Sequence, residues 1–303
     1  MTISETARVA PATASDGPTS PQPRRATRPQ RGDTARQLVV YAFLLVAVAA
    51  TMVPFVWMVL SSFKTQGEIL RNPMGFLPEH PGWGNYVRWF KDFHIQKFFL
   101  NSLIVAVATV LGNLLFCSMV GYALAKLEFP GKRLLFALVM ITLMVPGVVT
   151  FVPLFVTISK LGMVNTYPAL FLPFLTGPLG VFLMRQFMLG IPNELIEAAK
   201  LDGANELRIF ARIVMPLCGP PLATLGILTF LFSWNNFLWP LVAAQSEDKY
   251  TLPVALSLYS TGQNATNYAL LLAGSVLVIG PIVLVFICLQ RFFTQSVAMS
   301  GIK

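Results

Sequence analysis

Residues 38–60 read LVVYAFLLVAVAATMVPFVWMVL, a run without one charged side chain. A hydrocarbon core about 30 Å thick needs roughly 20 apolar residues in helical form to cross it, and this stretch exceeds that length. Comparable runs lie near residues 100–122, 134–157, 168–189, 219–243 and 267–289. The pattern predicts an all-α membrane protein with about six transmembrane helices. Several runs hold prolines that would be costly in a soluble helix, among them Pro54, Pro146, Pro178, Pro240 and Pro281. Inside a bundle, neighbouring helices satisfy the freed backbone groups, so these read as kinks along a pathway or a packing seam.

Composition agrees. Of the 303 residues 55% are hydrophobic and 12% charged, against roughly 25% charged in an average soluble domain. The formal net charge of +9 does not point to nucleic acid, because the basic residues sit in a tail and in short gaps between apolar runs. Residues 1–36 are rich in Pro, Ala, Thr, Ser and Arg, a composition that cannot bury enough surface to order itself, and are expected to form a disordered tail. Arg24-Arg25 resembles the start of a twin-arginine signal, but the apolar run begins more than ten residues later, beyond Asp33. Ala47-Val48-Ala49 is followed by apolar sequence through Leu60, so the first run reads as an uncleaved anchor.

Orientation follows from the short gaps. Arg8, Arg24, Arg25, Arg28, Arg31 and Arg36 mark the tail, Lys126, Lys132 and Arg133 the gap 123–133, and Lys200, Arg208 and Arg212 the gap 190–218. The opposite side has Lys160 and Lys249, the latter beside Glu247 and Asp248, and a long first loop with five basic residues between Lys64 and Lys97, offset partly by Glu68, Glu79 and Asp92. The excess of basic residues predicts that both termini are cytoplasmic. The expected organisation is a cytoplasmic tail (1–36), a first helix with an external loop (37–98), a transmembrane core (99–290) containing a cytoplasmic loop (190–217), and a cytoplasmic C-terminal tail (291–303).

Several chemistries are missing. No Asp or Glu lies within an expected span, which weighs against ion-driven transporters and pumps, and both histidines, His80 and His94, fall in the first external loop. There is no His-Glu-x-x-His, and Gly131-Lys132 lacks the upstream glycine and the Ser/Thr of a phosphate loop. Cys117, Cys218 and Cys288 have no metal-ligand spacing and read as small buried hydrophobes. No catalytic or metal residue and no cofactor of its own is expected, so any uphill transport draws its energy from another chain.

The informative gap reads Ile191-Pro192-Asn193-Glu194-Leu195-Ile196-Glu197-Ala198-Ala199-Lys200-Leu201-Asp202-Gly203-Ala204-Asn205-Glu206-Leu207-Arg208. Pro192 and a capping Asn193 start a helix, Glu194 complements its dipole, and Gly203 supplies a left-handed turn at its end. Asn205 caps a second helix, and Pro216, Pro220 and Pro221 mark the break into the fifth run. Ala198 and Ala199 keep the first helix slim, while Leu195, Ile196 and Leu201 offer an apolar anchor. The pattern alone leaves two readings: a helix docking into a partner's groove, or an amphipathic linker on the membrane surface.

The same residues resemble a known family, the membrane subunits of binding-protein-dependent ABC importers. Its hallmark is Glu-Ala-Ala, three residues, Gly, nine residues, then Ile-x-Leu-Pro. Glu197-Ala198-Ala199, Gly203 and Ile213-Val214-Met215-Pro216 match it, with Met215 in place of Leu. Ser62-Phe63-Lys64, Asn85-Tyr86, Gly121-Tyr122-Ala123-Leu124-Ala125-Lys126, Thr251-Leu252-Pro253-Val254 and Gln290-Arg291-Phe292-Phe293 are similar to the carbohydrate branch, the maltose-type permease G kind, over about residues 40–303. The resemblance implies a type I ABC importer permease architecture and a sugar importer. It also implies a second permease subunit, two copies of a cytoplasmic ATPase that binds the ATP, and an external sugar-binding protein. Glu197, Ala198, Ala199, Leu201 and Gly203 would then couple the ATPase to the bundle. The same machine carrying a peptide, polyamine or glycerol phosphoester is the alternative; the Glu-Ala-Ala loop discriminates against a membrane enzyme or scaffold.

The fifth run holds Phe232-Ser233-Trp234-Asn235-Asn236-Phe237-Leu238-Trp239-Pro240. Amides bind hydroxyls and flat rings cover the apolar faces of sugars, so Asn235, Asn236 and Trp239 are candidates for a substrate wall. Interhelical hydrogen bonding with tryptophan at the membrane interface is the competing reading. In a continuous helix Asn235 and Trp239 would share one face. The topology has a direct check: in a cysteine-free background, single cysteines replacing Ser20 and Ala298 should stay protected from an impermeant thiol reagent in intact cells, and one replacing His80 should label. Labelling at 298 would remove the six-span count.

Overall fold

A computed structural model describes the backbone of residues 31–261 and 266–300 and the side chains of 36–261 and 266–288. The tail expected over 1–36 therefore lies outside the described residues as far as residue 30. From Arg31 the chain is already helical: α1 spans Arg31–Ser61 with Pro54 inside it. The chain divides into two units, 1–53 and 54–303. In the first, every side chain from Arg36 to Val53 is exposed, and these are overwhelmingly apolar. A helix apolar on all sides has lipid as its solvent.

In the second unit, α2 (Gln66–Arg71) and α3 (Gly84–Lys91) occupy the expected external loop. Thr65 caps α2 through its Oγ1, which accepts from the Glu68 amide at 3.3 Å. Asn85 Nδ2 donates to the Ser62 and Lys64 carbonyls at 2.8 and 2.9 Å, and Lys64 donates its ammonium to the Gly75 carbonyl. The loop is thus folded around its own polar groups.

The axis of the unit is α4 (Ile95–Lys126), 32 residues and about 48 Å long at 1.5 Å per residue. Its buried face follows the helical repeat through Asn101, Ser102, Ala106, Thr109, Gly112, Asn113, Cys117, Gly121 and Ala125, while Phe99, Leu103, Val107, Leu111 and Leu115 point outward. Ile95, Phe98, Val105, Tyr122 and Leu124 are buried as well, but over the middle of the helix the small and polar side chains turn inward more than in a soluble helix. In lipid, large apolar side chains gain nothing by turning inward, whereas small residues let backbones approach and pack. Gly121 shows how close: a Cβ there would stand 2.9 Å from Met184 Cβ and 3.0 Å from the Arg185 amide nitrogen.

Three expected spans are broken, the first at a proline. The run 134–157 divides into α5 (Lys132–Met144) and α6 (Gly147–Lys160), which meet at 102°. Pro146 removes a helical N–H and pushes Val145 out of the α region, to φ −81° and ψ 117°. The run 168–189 becomes α7 (Tyr167–Phe171), a 3-10 turn (Leu172–Phe174) and α8 (Pro178–Leu189), bent by 44°. After α9 (Asn193–Leu201) and α10 (Glu206–Ile209) come a π turn (Phe210–Val214) and α11 (Met215–Leu217), which turn by 83° into α12 (Gly219–Trp234). The fifth run, 219–243, stops being helical at Trp234 and resumes as α13 (Leu238–Ala243). Last are α14 (Leu252–Ser260) and α15 (Tyr268–Ser300), which remains helical through the expected boundary at 290.

Among the described residues three helices are long and apolar enough to cross a membrane unbroken, and six spans result if each bent pair counts once. The all-α reading holds. Cys117 and Cys218 are buried as expected, whereas Cys288 is exposed because it lies on the outer side of α15.

Gly121→Val should wedge α4 from α8 and cost about 1–3 kcal/mol, the usual scale of overpacking. Gly226→Ala, where the nearest atom to a new Cβ is Leu114 Cδ2 at 3.9 Å, should be tolerated. Thermal unfolding of the two purified variants in one detergent compares them, and equal midpoints would contradict the close packing.

Candidate functional site

After α8 the chain passes Gly190 and enters α9 through Pro192, whose fixed φ of −57° suits a helix start. Pro192 is the cap residue and makes no side-chain cap bond, so Asn193 is the first helical residue and not the cap expected from sequence. Its Oδ1 instead accepts from Lys126 Nζ at 2.7 Å, and the same ammonium donates to the Ile191 carbonyl at 2.6 Å. The far end closes as the glycine implied. Gly203 takes φ +79°, its N–H donates to the Lys200 carbonyl at 3.0 Å, and the Ala204 N–H donates to the Ala199 carbonyl at 3.0 Å. These paired bonds form a Schellman motif. Asn205 then caps α10, its Oδ1 accepting from the Arg208 amide at 2.9 Å.

The faces of α9 divide its residues. Ile196 and Ala199, 6% and 7% exposed, pack inward with Tyr122, Leu124, Ala125 and Met188. Glu197, Ala198 and Leu201 share the outward face, with Leu201 at 90% exposure and Leu195 at 45%. Ile196 is therefore no part of an outward anchor; at three-residue spacing it joins Ala199 on the floor. Beyond the turn, Glu206 Oε1 accepts from Lys200 Nζ and Glu206 Oε2 from Tyr122 Oη, both at 2.7 Å. The Lys200 ammonium, with the Tyr122 hydroxyl, holds Glu206 below the ordinary carboxylate range and so charged. Sequence reading assigned Tyr122, Lys126 and Glu206 no role at this site, because the contacts of Tyr122 with Glu206 and of Lys126 with Ile191 span 84 and 65 residues.

Residues 117–299, more than half of the chain, match the family described as binding-protein-dependent transport system inner membrane component. The chain belongs to that family. The arabinooligosaccharide transport system permease protein AraQ of Halalkalibacterium halodurans is 42% identical over 269 residues, covering 88% of this permease and 96% of its own length. The diacetylchitobiose uptake system permease protein NgcG of Streptomyces coelicolor is 34% identical over 88% of each chain. In fold, the permease is similar to a chain of the crystal structure of a bacterial ABC transporter involved in the import of the acidic polysaccharide alginate. The TM-score is 0.78 at 23% identity, over 88% of the permease and all of the other chain. The chain is thus a membrane permease with an ABC importer permease fold, and its relatives are permease proteins, not enzymes.

The break in the fifth run revises the candidate wall. α12 ends at Trp234, Asn235 is its C-cap, and Asn235 and Trp239 do not share one helical face. Trp239 is 2% exposed and packs edge-on against Phe151 and Phe174, with its Nε1 donating to the Ala169 carbonyl at 2.9 Å. These contacts make it a buried anchor of the permease's core. Asn235 is exposed and Asn236 half-buried; Asn235 Nδ2 donates to the Leu231 carbonyl at 2.9 Å, and Asn236 Oδ1 accepts from the Trp239 amide at 3.4 Å. Both line an open groove of about 410 Å³ with Phe232. Phe232 also borders a second cavity of about 380 Å³, with Asn113, Thr176, Gly177 and Thr229, at the break between α7 and α8. The helix-breaking run Thr176-Gly177-Pro178 was the sequence signal for this second opening.

Gly203→Pro removes the N–H that closes α9 and forbids φ +79°. It should raise amide exchange across residues 199–205 at unchanged membrane yield. Gly203→Ala should show a smaller increase, for a strain of about 1–2 kcal/mol.

Proposed function

We propose that this permease is one of two membrane subunits of an ATP-driven, binding-protein-dependent sugar importer, with both termini cytoplasmic. The observation that carries the reading is α9: a short helix pinned at both ends, whose outward face bears Glu197, Ala198 and a nearly bare Leu201. An exposed leucine beside an alanine on a fixed helix suits insertion into a partner's groove. In this reading the partner is a cytoplasmic ATPase, present in two copies, which binds the ATP, while this chain holds no cofactor. Ala199 and Gly203 act behind that face, one as floor and one as turn. A second permease completes the passage, and an external sugar-binding protein delivers the cargo.

The relatives' cargoes, arabinooligosaccharides and diacetylchitobiose, support a sugar, and so does the chemistry of the openings. Asn113, Thr176, Thr229, Asn235 and Asn236 give neutral hydrogen-bonding groups beside Phe174 and Phe232, with no basic residue on either wall. A glycerol phosphoester would need a cation to offset its charge. Backbone that leaves the helix at membrane depth is tolerated where it lines a cavity, as at Thr176–Gly177 and Asn235–Phe237.

The test is uptake by the complete transporter reconstituted in vesicles, with labelled arabinooligosaccharide or diacetylchitobiose and the cognate binding protein. Asn235→Leu and Asn236→Leu should each lower uptake roughly tenfold, the scale of a buried polar group left unpaired, while the complex still assembles. Full transport by both variants would return the amides to a structural role, and competition by glycerol 3-phosphate would overturn the sugar reading. Gly203→Pro should abolish uptake and stimulated ATP hydrolysis together.

A further inference from the structure

The polar contacts at the two ends of α9 converge on one neighbour. Tyr122 and Lys126 lie one turn apart on α4, on the same face. Lys126 holds the entrance of α9 through the Ile191 carbonyl and Asn193 Oδ1, at 2.6 and 2.7 Å. Tyr122 holds the exit through Glu206, whose second carboxylate oxygen takes Lys200 of α9 itself, both contacts being 2.7 Å. Between these straps Ile196 and Ala199 rest in the same buried cluster as Tyr122, Leu124 and Ala125.

Chain continuity offers a different route out of α9, and it is a weak one mechanically. Downstream, the backbone runs through four residues of α10, a π turn over Phe210–Val214 and an 83° bend before α12 begins. π turns and sharp bends are where helices yield. By contrast α4 is unbroken from Lys126 to Ile95. At its other end Asn101 Nδ2 donates to the Asp248 and Tyr250 carbonyls at 3.0 and 2.9 Å, and Ser102 Oγ accepts from the Leu252 amide at 2.7 Å.

We propose that α4 receives the motion of α9, with Glu206 and Lys126 as the positioning residues that strap the two helices together. Glu206 is the keystone, because it joins a span to the coupling helix through one carboxylate. Displacement of α9 is then carried along α4 to the loop at 248–252 on the opposite side. The inference rests on the reading of α9 as the face that meets the ATPase.

The experiment uses the assembled transporter with its partner permease, ATPase and binding protein. Tyr122→Phe and Glu206→Ala should each lower uptake and solute-stimulated ATP hydrolysis roughly fivefold or more, the scale of one hydrogen bond to a charged group. Assembly yield should stay at the wild-type level, and the thermal midpoint should fall by only a few degrees, the cost of one hydrogen bond. The double variant should fall no further than Glu206→Ala alone, since both remove one link. Glu206→Gln, whose one amide oxygen can accept from Tyr122 or from Lys200 but not from both, should lose coupling as well. Wild-type coupling in the single variants, losses that multiply in the double variant, or a loss of assembled complex in place of coupling would each overturn the proposal. Gly203→Pro in the same preparation separates the two claims. If it couples normally, the ATPase-facing reading of α9 fails; if it uncouples while the clasp variants do not, only the α4 route fails.

Discussion

A peptide group without a hydrogen-bond partner costs several kcal/mol in hydrocarbon, and there is no water to relieve it. This constraint shapes the permease more than any single contact. It allows helices and little else across the membrane, and it dictates where they can stop. Two interruptions among the described residues show a side-chain compensation. The α7–α8 break sits against Asn113, whose Nδ2 donates to the Phe174 carbonyl at 2.6 Å. At the α12–α13 break the Asn236 side chain takes the Trp239 amide. Polar side chains inside an apolar bundle are therefore placed where backbone groups would otherwise go unmet, and the same places open into cavities.

The second consequence is the packing of α4. Burial cannot be driven by moving leucine out of lipid, so between Ser102 and Gly121 the helix turns mostly small and polar residues inward, with Val105 among them, and sets Leu103, Val107, Leu111 and Leu115 outward. Gly121 lets α8 approach to backbone distance; the next residue, Tyr122, reaches Glu206 of α10, and Lys126, one turn further, reaches Ile191 and Asn193 after α8. Close packing in the span and polar strapping at its end are thus one arrangement. Arg185 of α8 extends it, donating Nε to the Leu124 carbonyl at 3.2 Å and lying 3.8 Å over the Phe136 ring. That pairing accommodates a charge on a helix that is otherwise apolar.

What the sequence determined by itself was whatever depends on local chemistry. Apolar runs longer than the membrane is thick required helices, and Gly203 followed by Asn205 required one helix to end and another to begin. The spacing from Glu197 through Gly203 to Pro216 marked the family. Those features need only neighbours along the chain. Tertiary structure decided what depends on partners far away in sequence. Pro146 signalled a kink, but only packing around it sets a 102° reversal. Ile196 and Leu201 look alike in sequence, yet one is floor and the other is face, because Ile196 joins the buried cluster with Tyr122, Met188 and Ile209 while Leu201 is left bare. Trp239 had the composition of a sugar platform and became a buried anchor once the Ala169 carbonyl took its N–H. Glu206 signalled only the start of a helix, since a carboxylate beside a helix cap is ordinary until Tyr122, 84 residues earlier, is brought within 2.7 Å of it.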